Sequence, residues 1–400
     1  MKRIAIIHAE PYPEESRLKK ETEALVSCGY HVFIFCMHRK SEALKEVIQD
    51  NLEIVRYSIY DNPIIRKLDT LLFSFSYNRP FLKRALDKFI EKKNIEVLHV
   101  VNLPLAEICL ESARKHNIPV VLDFYENYPY AIQTWRERTK FLDFIKKPFK
   151  GLDRWLRYEA RTVRDFDATL VDSVEFRERL ISLGLPESKI HVVQNTIDID
   201  RFDPPDPAFA EKYKDKFVIL YLGVVSLDKG ISIALEAFPR ILKEIPNAIL
   251  MVVGAGFQRD IHELKLRAKE LGVENNTLIM DRVPHKEIFT ILSAGDLALL
   301  HLRDNVNYNA SSPHKLFEYM AAGLPIICSP SESVARIVCE IGCGVVVGFD
   351  PRDFASAVIE LAKNNEKRKA MGIAGKNVVR EKYNWSVDAK VLSNVYKDIS

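Results

Sequence analysis

The residues best suited to chemistry in this 400-residue chain stand together between positions 312 and 327. Ser312 can cap the first N–H groups of a helix, and Pro313 suits the first helical position. Gly323 is expected to end this helix before an apolar strand. Such a helix start offers unpaired N–H donors and a partial positive charge, and Glu318 follows six residues after the cap. Phosphates at the helix start and ribose hydroxyls on the carboxylate would use both features, so the pattern indicates a nucleotide site.

Two glycine-containing loops follow apolar runs in the same half of the chain. Gly223 lets the backbone approach a ligand, and Lys229 adds a positive charge suited to a diphosphate. The second loop, Gly-Ala-Gly at 254–256, has Arg259 where the dinucleotide-binding fingerprint requires a third glycine. It therefore predicts a turn that lines the nucleotide cleft rather than a dehydrogenase site.

Polar residues also end a predicted strand in the first half, at 123–129. Tyr125 or Glu126 could touch a substrate there, although a capping carboxylate and a packed tyrosine explain the same residues. Arg17 begins the first long helix and could bind an anion or cap the loop that precedes it. The sequence shows no Ser/His/Asp triad, and its spacing reveals no cluster of metal ligands.

Size and composition limit the classes of protein that fit. Four hundred residues favour two domains, and 47% hydrophobic with 28% charged residues is typical of globular proteins. The net charge of +3 argues against nucleic-acid binding. Six scattered cysteines are typical of thiols in a reducing compartment, and Cys339 and Cys343 lack the second pair that a zinc site needs. The N-terminus does not resemble a signal peptide, and no apolar run reaches the length of a membrane span, so we expect a cytoplasmic protein.

Short apolar runs alternate with helical patterns along the chain, which predicts an α/β fold with mostly parallel sheets. We predict strands at 4–8, 31–37, 97–101, 120–124, 168–171, 217–222, 248–253, 277–280, 297–300, 324–328 and 344–347. We predict helices at 16–28, 80–93, 105–116, 231–245, 258–271, 285–294, 351–364 and 379–400. A Pro/Asp-rich break separates a domain at 1–202 from one at 203–379, with a C-terminal helix at 380–400 that packs back onto the first domain.

The segment at 134–164 departs from this alternation. It carries ten Lys or Arg and four Asp or Glu residues, interleaved with six aromatic side chains. A basic stretch with aromatic anchors suits peripheral contact with an anionic membrane, such as the inner face of the cell membrane. An amphipathic helical hairpin with its aromatic rings packed inward explains the same pattern, and the sequence leaves both possibilities open.

The segments described above occur in a familiar order. Residues 123–129, 193–198, 223–230, 254–256 and 312–325, followed by Tyr383-Asn384-Trp385, resemble the retaining nucleotide-sugar transferases of glycosyltransferase family 4. The stretch at 312–327 is the most specific part of this resemblance, which covers nearly the whole chain. It implies the GT-B fold, in which two Rossmann-like domains face each other across a deep cleft. The N-terminal domain would hold the acceptor, and the C-terminal domain the nucleotide sugar.

The resemblance also implies roles for individual residues. Glu318 matches a glutamate that typically binds the ribose, and Lys229 matches a lysine that contacts the diphosphate. Together with the residue patterns described above, the resemblance leads us to predict catalytic roles for Lys229, Glu318, Tyr125 and Glu126. We predict donor contacts for Gly223, Val224, Lys229, Gly254, Arg282, Asn309, Ser311, Ser312, Lys315, Leu316 and Glu318. We predict acceptor contacts for Arg17, Tyr125 and Glu126.

Three positions depart from the family pattern. Val224 stands where an arginine is common, so Lys315 or Arg282 is expected to supply the second cation. Ala310 stands where the first glutamate of a pair is common, so Asn307 or Asn309 is expected to contact the donor sugar beside the backbone N–H groups of Ser311 and Ser312. Tyr125 replaces a histidine, and a phenol is a poor base at neutral pH.

The function implied is retaining transfer of a sugar from a nucleoside diphosphate sugar to a saccharide or lipid-linked acceptor, in the synthesis of cell-surface glycans or glycolipids. Lys229 and the helix start would stabilise the leaving diphosphate, so we expect no metal and no other cofactor. The departures leave a second hypothesis, a non-catalytic subunit that binds sugar nucleotides. A sugar-nucleotide epimerase is a third hypothesis, which the absence of a carboxylate and histidine cluster disfavours.

Overall fold

The computed structural model describes residues 1–12, 17–137, 151–226 and 229–399. The chain divides into two compact units. The first comprises Met1–Gln194 together with Asp388–Ser400, and the second comprises Asn195–Val387. The sequence predicts the boundary between the two units after residue 202, which is eight residues further along the chain.

The first unit is a mostly parallel sheet with helices between most of its strands. Its strands are β1 (Arg3–Ile7), β2 (His31–Met37), β3 (Lys45–Gln49), β4 (Leu52–Tyr57), β5 (Val97–Val101), β6 (Val120–Asp123), β7 (Ala168–Val171) and β8 (Ile190–Val192). Its helices are α1 (Arg17–Ser27), α2 (Pro63–Ser76), α3 (Pro80–Lys93), α4 (Ala106–His116), α5 (Tyr128–Glu137), α6 (Leu152–Thr162) and α7 (Val174–Ser182). The strand order is β3-β4-β2-β1-β5-β6-β7-β8, and among these pairings β3 with β4 is antiparallel.

The second unit repeats this architecture with a smaller sheet. Its strands are β9 (Phe217–Leu222), β10 (Ala248–Val253), β11 (Thr277–Met280), β12 (Leu297–Leu300), β13 (Ile326–Cys328) and β14 (Gly344–Val346). Its helices are α8 (Pro207–Glu211), α9 (Ile231–Glu244), α10 (Gln258–Glu270), α11 (Ile288–Leu292), α12 (Val306–Asn309), α13 (His314–Ala322), α14 (Glu332–Ile341), α15 (Pro351–Lys363) and α16 (Asn365–Glu381). The last helix, α17 (Trp385–Asp398), belongs to the first unit from Asp388 onward.

The order of the second sheet fixes where a ligand can bind. It is β11-β10-β9-β12-β13-β14, so chain order reverses at β9. Strands β9, β10 and β12 are buried along their whole length, as expected for parallel strands covered on both faces. Open parallel sheets bind ligands at the carboxyl ends of the strands beside such a reversal. The loop that starts at Gly223 therefore lies at the favoured position.

The structure confirms the alternating α/β architecture and differs from the prediction at several elements. Strands β3, β4 and β8 were not predicted, nor were helices α2, α7, α8, α12 and α14 or the part of α16 before residue 379. Strand β3 is exposed throughout and pairs at the sheet edge, so it lacks the apolar run of a buried strand. The predicted helix at 285–294 is a 3₁₀ turn, His285–Glu287, followed by the short α11.

The stretch at 379–400 is mostly helical, as predicted, but it is interrupted between Glu381 and Trp385. Helix α16 ends at Glu381, because the side-chain amide of Asn384 donates to the carbonyl oxygens of Val379 and Arg380. The N–H of Trp385 then donates to the carbonyl oxygen of Ile197 at 2.8 Å, and α17 begins.

The basic aromatic segment is described only in part, and residues 138–150 lie outside the described residues. In α6, Trp155 and Tyr158 are 4% and 3% exposed. The Trp155 ring lies 4.8 Å from the ring of Tyr77 and 5.9 Å from that of Phe73. In α6 the aromatic rings therefore pack inward, as in the hairpin alternative.

A different helix of the first unit exposes apolar side chains. Ile64, Leu68, Leu71 and Phe75 of α2 are 75%, 43%, 54% and 55% exposed. Their spacing places them along one face of the helix. Within the described part of the chain, no helix is both long enough and apolar enough to cross a membrane.

Candidate functional site

The helix of the expected nucleotide site is α13, and it begins one residue later than the sequence suggests. Pro313 takes the cap position with an extended backbone, so the predicted capping role of Ser312 is wrong. The Ser312 hydroxyl instead lies 2.6 Å from that of Ser333 in α14, where both are buried. Pro313 makes no side-chain cap hydrogen bond, and the start of an α-helix is a favourable place for an anion. Gly323 ends the helix with a left-handed backbone, as predicted.

Two buried tyrosines fix the loop after β9 to the start of this site. The Tyr319 hydroxyl accepts from the N–H of Leu222 at 2.8 Å and so ties α13 to the end of β9. The Tyr221 hydroxyl donates to the carbonyl oxygen of Val224 at 2.7 Å. The backbone around Gly223 is thus held between a strand and a helix that are both part of the core.

The second glycine loop supports the first. A Cβ atom on Gly254 would lie 1.9 Å from the carbonyl oxygen of Gly223, so only glycine permits this contact. Val225 also pairs with Gly256 in a parallel bridge. The loop therefore acts as the predicted strand-end turn and packs against the backbone of the Gly223 loop.

A lysine of α13 lies beside Gly223, and the charge of a second lysine acts on it. The Lys315 ammonium lies 4.2 Å from the centre of the Tyr221 ring and 3.5 Å from the place that a Cβ on Gly223 would take. Burial, and then the charge of Lys229, lowers the pKa of Lys315 to about 7, against the opposing effect of Glu318. A positive charge on Lys315 therefore has an electrostatic cost, which a diphosphate bound beside it would relieve.

This geometry places Lys315 where the resemblance expects a second cation. Val224, at the usual arginine position, is 50% exposed and apolar. Arg282 is exposed in the loop after β11, and its contact with a phosphate remains a prediction. Lys315 is thus the better placed of the two expected substitutes.

Glu318 is held by two histidines. Its side chain is 5% exposed, and its Oε1 lies 2.9 Å from His314 Nδ1 and 3.4 Å from His285 Nε2. Burial opposes ionisation, but His314 and His285 outweigh it and hold the pKa of Glu318 at about 2. A buried and ionised carboxylate one turn into α13 is well suited to accept hydrogen bonds from ribose hydroxyls.

The sequence did not identify either histidine. His314 and Glu318 are four residues apart in one helix, and this spacing indicates that they lie on the same face. His285 stands 33 positions before Glu318 and reaches it through the fold of the second unit. Sequence spacing carried no signal for it.

The remaining donor residues divide into two groups. Asn309 donates from its amide to Asp304 at 2.9 Å, and its buried Oδ1 has no hydrogen-bond partner among the described residues. That oxygen fits the predicted contact with a donor sugar. By contrast, the N–H of Ser311 donates to the carbonyl oxygen of Tyr308 at 3.4 Å. The side chain of Leu316 is fully buried in the core, so the expected donor contact cannot be made by that side chain.

In the first unit, Arg17 lies in a buried ionic network. Its Nε donates to Glu21 at 2.6 Å and its Nη2 to Asp123 at 2.8 Å, and the residue is 5% exposed. The Tyr125 hydroxyl donates to the other oxygen of Glu21 at 2.8 Å. Arg17 would therefore act on an acceptor by positioning Tyr125, not through a direct contact. Glu126 is half-buried beside Tyr125.

The C-terminal helix completes this network. The Tyr396 hydroxyl of α17 lies 2.5 Å from Nδ1 of His99, and His99 Nε2 lies 3.3 Å from Asp123. Sequence spacing reveals no cluster of metal ligands, but the fold brings together two groups of residues that could hold an ion. Glu21, His99 and Asp123 bring ligand atoms within 4.8 Å of one another, as do His285, His314 and Glu318. In the first of these groups, the Arg17 guanidinium already pairs with both carboxylates.

The network predicts an unusual dependence of stability on pH. Burial and the charge of Asp123 raise the pKa of Glu21 well above its usual range, while Arg17 and His99 overcome burial and lower that of Asp123. The native state thus retains the Glu21 proton above pH ~4.3, where an unfolded glutamate loses it, so this contribution to stability declines as pH rises. We expect Glu21→Gln to flatten that decline and to leave Tm at pH 7 within about 3 °C of wild type.

Thermal unfolding from pH 5 to pH 9 measures this effect, with Glu23→Gln on the same helix as control. A variant that is unfolded at pH 7 would show that Glu21 must be ionised to pair with Arg17.

Two α/β units of this kind, each built on a largely parallel sheet, occur in the GT-B fold of glycosyltransferases. Residues 15–201 match the family described as Glycosyltransferase Family 4, and residues 203–378 match the one described as Glycosyl transferases group 1. Together these matches span the chain except for its ends and one linker residue. The chain belongs to glycosyltransferase family 4.

Individual comparisons agree with this assignment. The D-inositol 3-phosphate glycosyltransferase of Xylanimonas cellulosilytica is 26% identical over 253 residues, which are 60% of this chain and 58% of that protein. The chain spans little more than half the length of the first curated relatives that it matches. Sucrose-phosphate synthase from Thermosynechococcus elongatus has a similar structure, with a TM-score of 0.78, 16% identity and coverage of 100% and 99% of the two chains. The Anabaena protein HepE, solved in complex with UDP, has a TM-score of 0.72 with 14% identity and full coverage of both chains.

Proposed function

We propose that this chain transfers a sugar from a nucleoside diphosphate sugar to a saccharide or lipid-linked acceptor, with retention of the anomeric configuration. The Lys315 ammonium beside Gly223 at the start of α13, with the charge of Lys229 acting on it, carries the proposal. Glu318 supplies the ribose contact beside it, and no other cofactor is needed to neutralise the diphosphate. A lipid-linked or saccharide acceptor is consistent with the D-inositol 3-phosphate glycosyltransferases among the relatives.

The residues fit a reaction that occurs on one face of the sugar. The bond between C1 and the phosphate oxygen breaks, with its electron pair passing to the phosphate. The acceptor oxygen bonds to C1 on the same face, and its proton passes to the leaving phosphate. No protein base is required, which suits Tyr125, because burial and the charges of Glu21 and Asp123 raise its pKa well above its usual range.

Nucleotide binding and turnover test this function. Thermal shifts with UDP, GDP, ADP, CDP and dTDP would identify the base, and UDP is the first choice because HepE was solved with it. Proton NMR of the product from the matching sugar nucleotide would then give the configuration at C1. An inverted product would reject the retaining mechanism, and the absence of any nucleotide shift would reject the site.

A non-catalytic sugar-nucleotide-binding subunit is the second candidate. Ala310 and Val224 favour it, because the chain lacks the family's common glutamate and arginine at these positions. Saturable nucleotide binding without product, over a range of saccharide and lipid acceptors, would support this candidate over the transferase.

We further propose that α2 makes peripheral contact with an anionic membrane, such as the inner face of the cell membrane around a cytoplasmic enzyme. Its exposed apolar face stands beside the exposed Lys67. We expect the double variant Leu71→Glu, Phe75→Glu to reduce binding to phosphatidylglycerol vesicles by about tenfold or more, since each side chain loses ~1.5–3 kcal/mol of burial.

Co-sedimentation with vesicles measures that binding. Ile373→Glu, at an apolar residue of α16 that is 60% exposed, is the matched control. If the control loses as much vesicle binding as the α2 variant, or if the α2 variant loses none, α2 does not contact the membrane.

A further inference from the structure

The cluster of His285, His314 and Glu318 has the ligand types of a transition-metal site. The three side chains offer two imidazole nitrogens and one carboxylate oxygen, all within 4.8 Å of one another. Imidazole and carboxylate ligands together suit Zn²⁺ and similar divalent ions. Mg²⁺ and Ca²⁺ prefer oxygen ligands and would bind this set poorly.

The measured separations are close to those around a bound ion. Ligands about 2.0–2.1 Å from a tetrahedral Zn²⁺ lie about 3.3 Å from each other. Glu318 Oε1 lies 2.9 Å from His314 Nδ1 and 3.4 Å from His285 Nε2. The two imidazole rings have centroids 5.6 Å apart at an interplanar angle of 41°. Small rotations of side chains would therefore bring three ligand atoms around one ion.

The elements that carry these ligands are well anchored. His314 and Glu318 stand one turn apart on α13, whose other face is in the core. The His285 ring packs against that of Phe202 at 4.9 Å, which restrains its orientation. The side chains of His285 and His314 are 33% and 26% exposed, so an ion can enter and a fourth position is open to water.

We propose that His285, His314 and Glu318 bind one divalent transition-metal ion of the zinc type. Because Glu318 is also the ribose contact in the function proposed above, the ion and the nucleotide would compete for this carboxylate. Metal binding itself does not depend on that function. The ion would act as an inhibitor that occupies part of the donor site, and it takes no part in sugar transfer.

Titration with Co²⁺ and Zn²⁺ alone tests the site, using protein first dialysed against a chelator. Cys28 and Cys339 are exposed thiols and should be replaced by serine in every sample, so that they contribute no ligand. We expect one Co²⁺ per chain, with visible absorption bands that Zn²⁺ abolishes and excess Mg²⁺ does not. His285→Ala and His314→Ala should each weaken binding by about tenfold or more. His262→Ala, an exposed histidine on α10, should leave it unchanged.

The variants and the nucleotide separate the two parts of the proposal. No saturable Co²⁺ binding, or equal binding in the two site variants and the His262→Ala control, would overturn the metal site. Near-native Tm of the variants would show that a loss of binding is not a loss of folding. UDP, or whichever nucleoside diphosphate gives a thermal shift, should weaken Co²⁺ binding. If Co²⁺ binds and the nucleotide binds without mutual effect, the metal site stands and the ribose role of Glu318 fails.

Discussion

Lys229→Ala should lower kcat/KM by about 10²–10³, because it removes a fixed positive charge from the place where the leaving diphosphate gains negative charge. Sugar transfer at saturating acceptor measures the effect. Lys243→Ala removes an exposed lysine from the other end of α9 and should change little. Activity of Lys229→Ala within a few fold of wild type would eliminate its assigned role.

Lys315→Met gives a contrasting test at the same site. The pKa of Lys315 is lowered because burial and Lys229 disfavour its charge, so the free protein carries an electrostatic cost there. Methionine removes that cost and keeps the length of the side chain. We therefore expect Lys315→Met to raise Tm of the free protein while it weakens nucleotide binding, whereas an ordinary packing residue would lower Tm when replaced.

Glu318→Gln should weaken nucleoside diphosphate binding by about tenfold to 100-fold, because hydrogen bonds to charged groups contribute ~1.5–3 kcal/mol each. The same variant should bind inorganic pyrophosphate as wild type does, since pyrophosphate has no ribose. Lys229→Ala should weaken both ligands. Isothermal titration calorimetry gives both affinities.

The control for that experiment is Glu287→Gln, an exposed carboxylate of the 3₁₀ turn that carries His285. Equal losses of nucleotide and pyrophosphate affinity in Glu318→Gln would show that Glu318 acts on the phosphates or on the fold of α13. Its assignment to the ribose would then be wrong.

The sequence predicted those parts of the site that are formed by neighbouring residues. The end of α13 at Gly323, the loop at Gly223 and the support turn at 254–256 follow from local patterns, because backbone conformation there is set within a few positions. The predicted start of α13 is one residue too early, because the Ser312 hydroxyl forms a hydrogen bond with Ser333, 21 positions away. Tertiary contact there outweighed a local capping preference.

Contacts between residues far apart in the chain could not be predicted from sequence spacing. Arg17 and Asp123 are 106 positions apart, and their burial together could not be read from either segment. The same holds for the position of Lys315 beside Gly223. The resemblance to the family suggests Lys315 only as one of two possible substitutes for the usual arginine. Edge strand β3 was missed for a different reason, since its exposed residues carry no apolar signal.

The position of Tyr396 affects how this chain can be divided. Residues 388–400 belong to the first unit, and the Tyr396 hydroxyl contacts His99 within its ionic network. A fragment that stops at Gln194 would leave His99 and Asp123 without the helix that covers them. A chimera that exchanges the first unit between relatives must therefore take both the N-terminal part and the C-terminal helix from the same parent. Otherwise the ionic network would come from one protein and the helix that covers it from another.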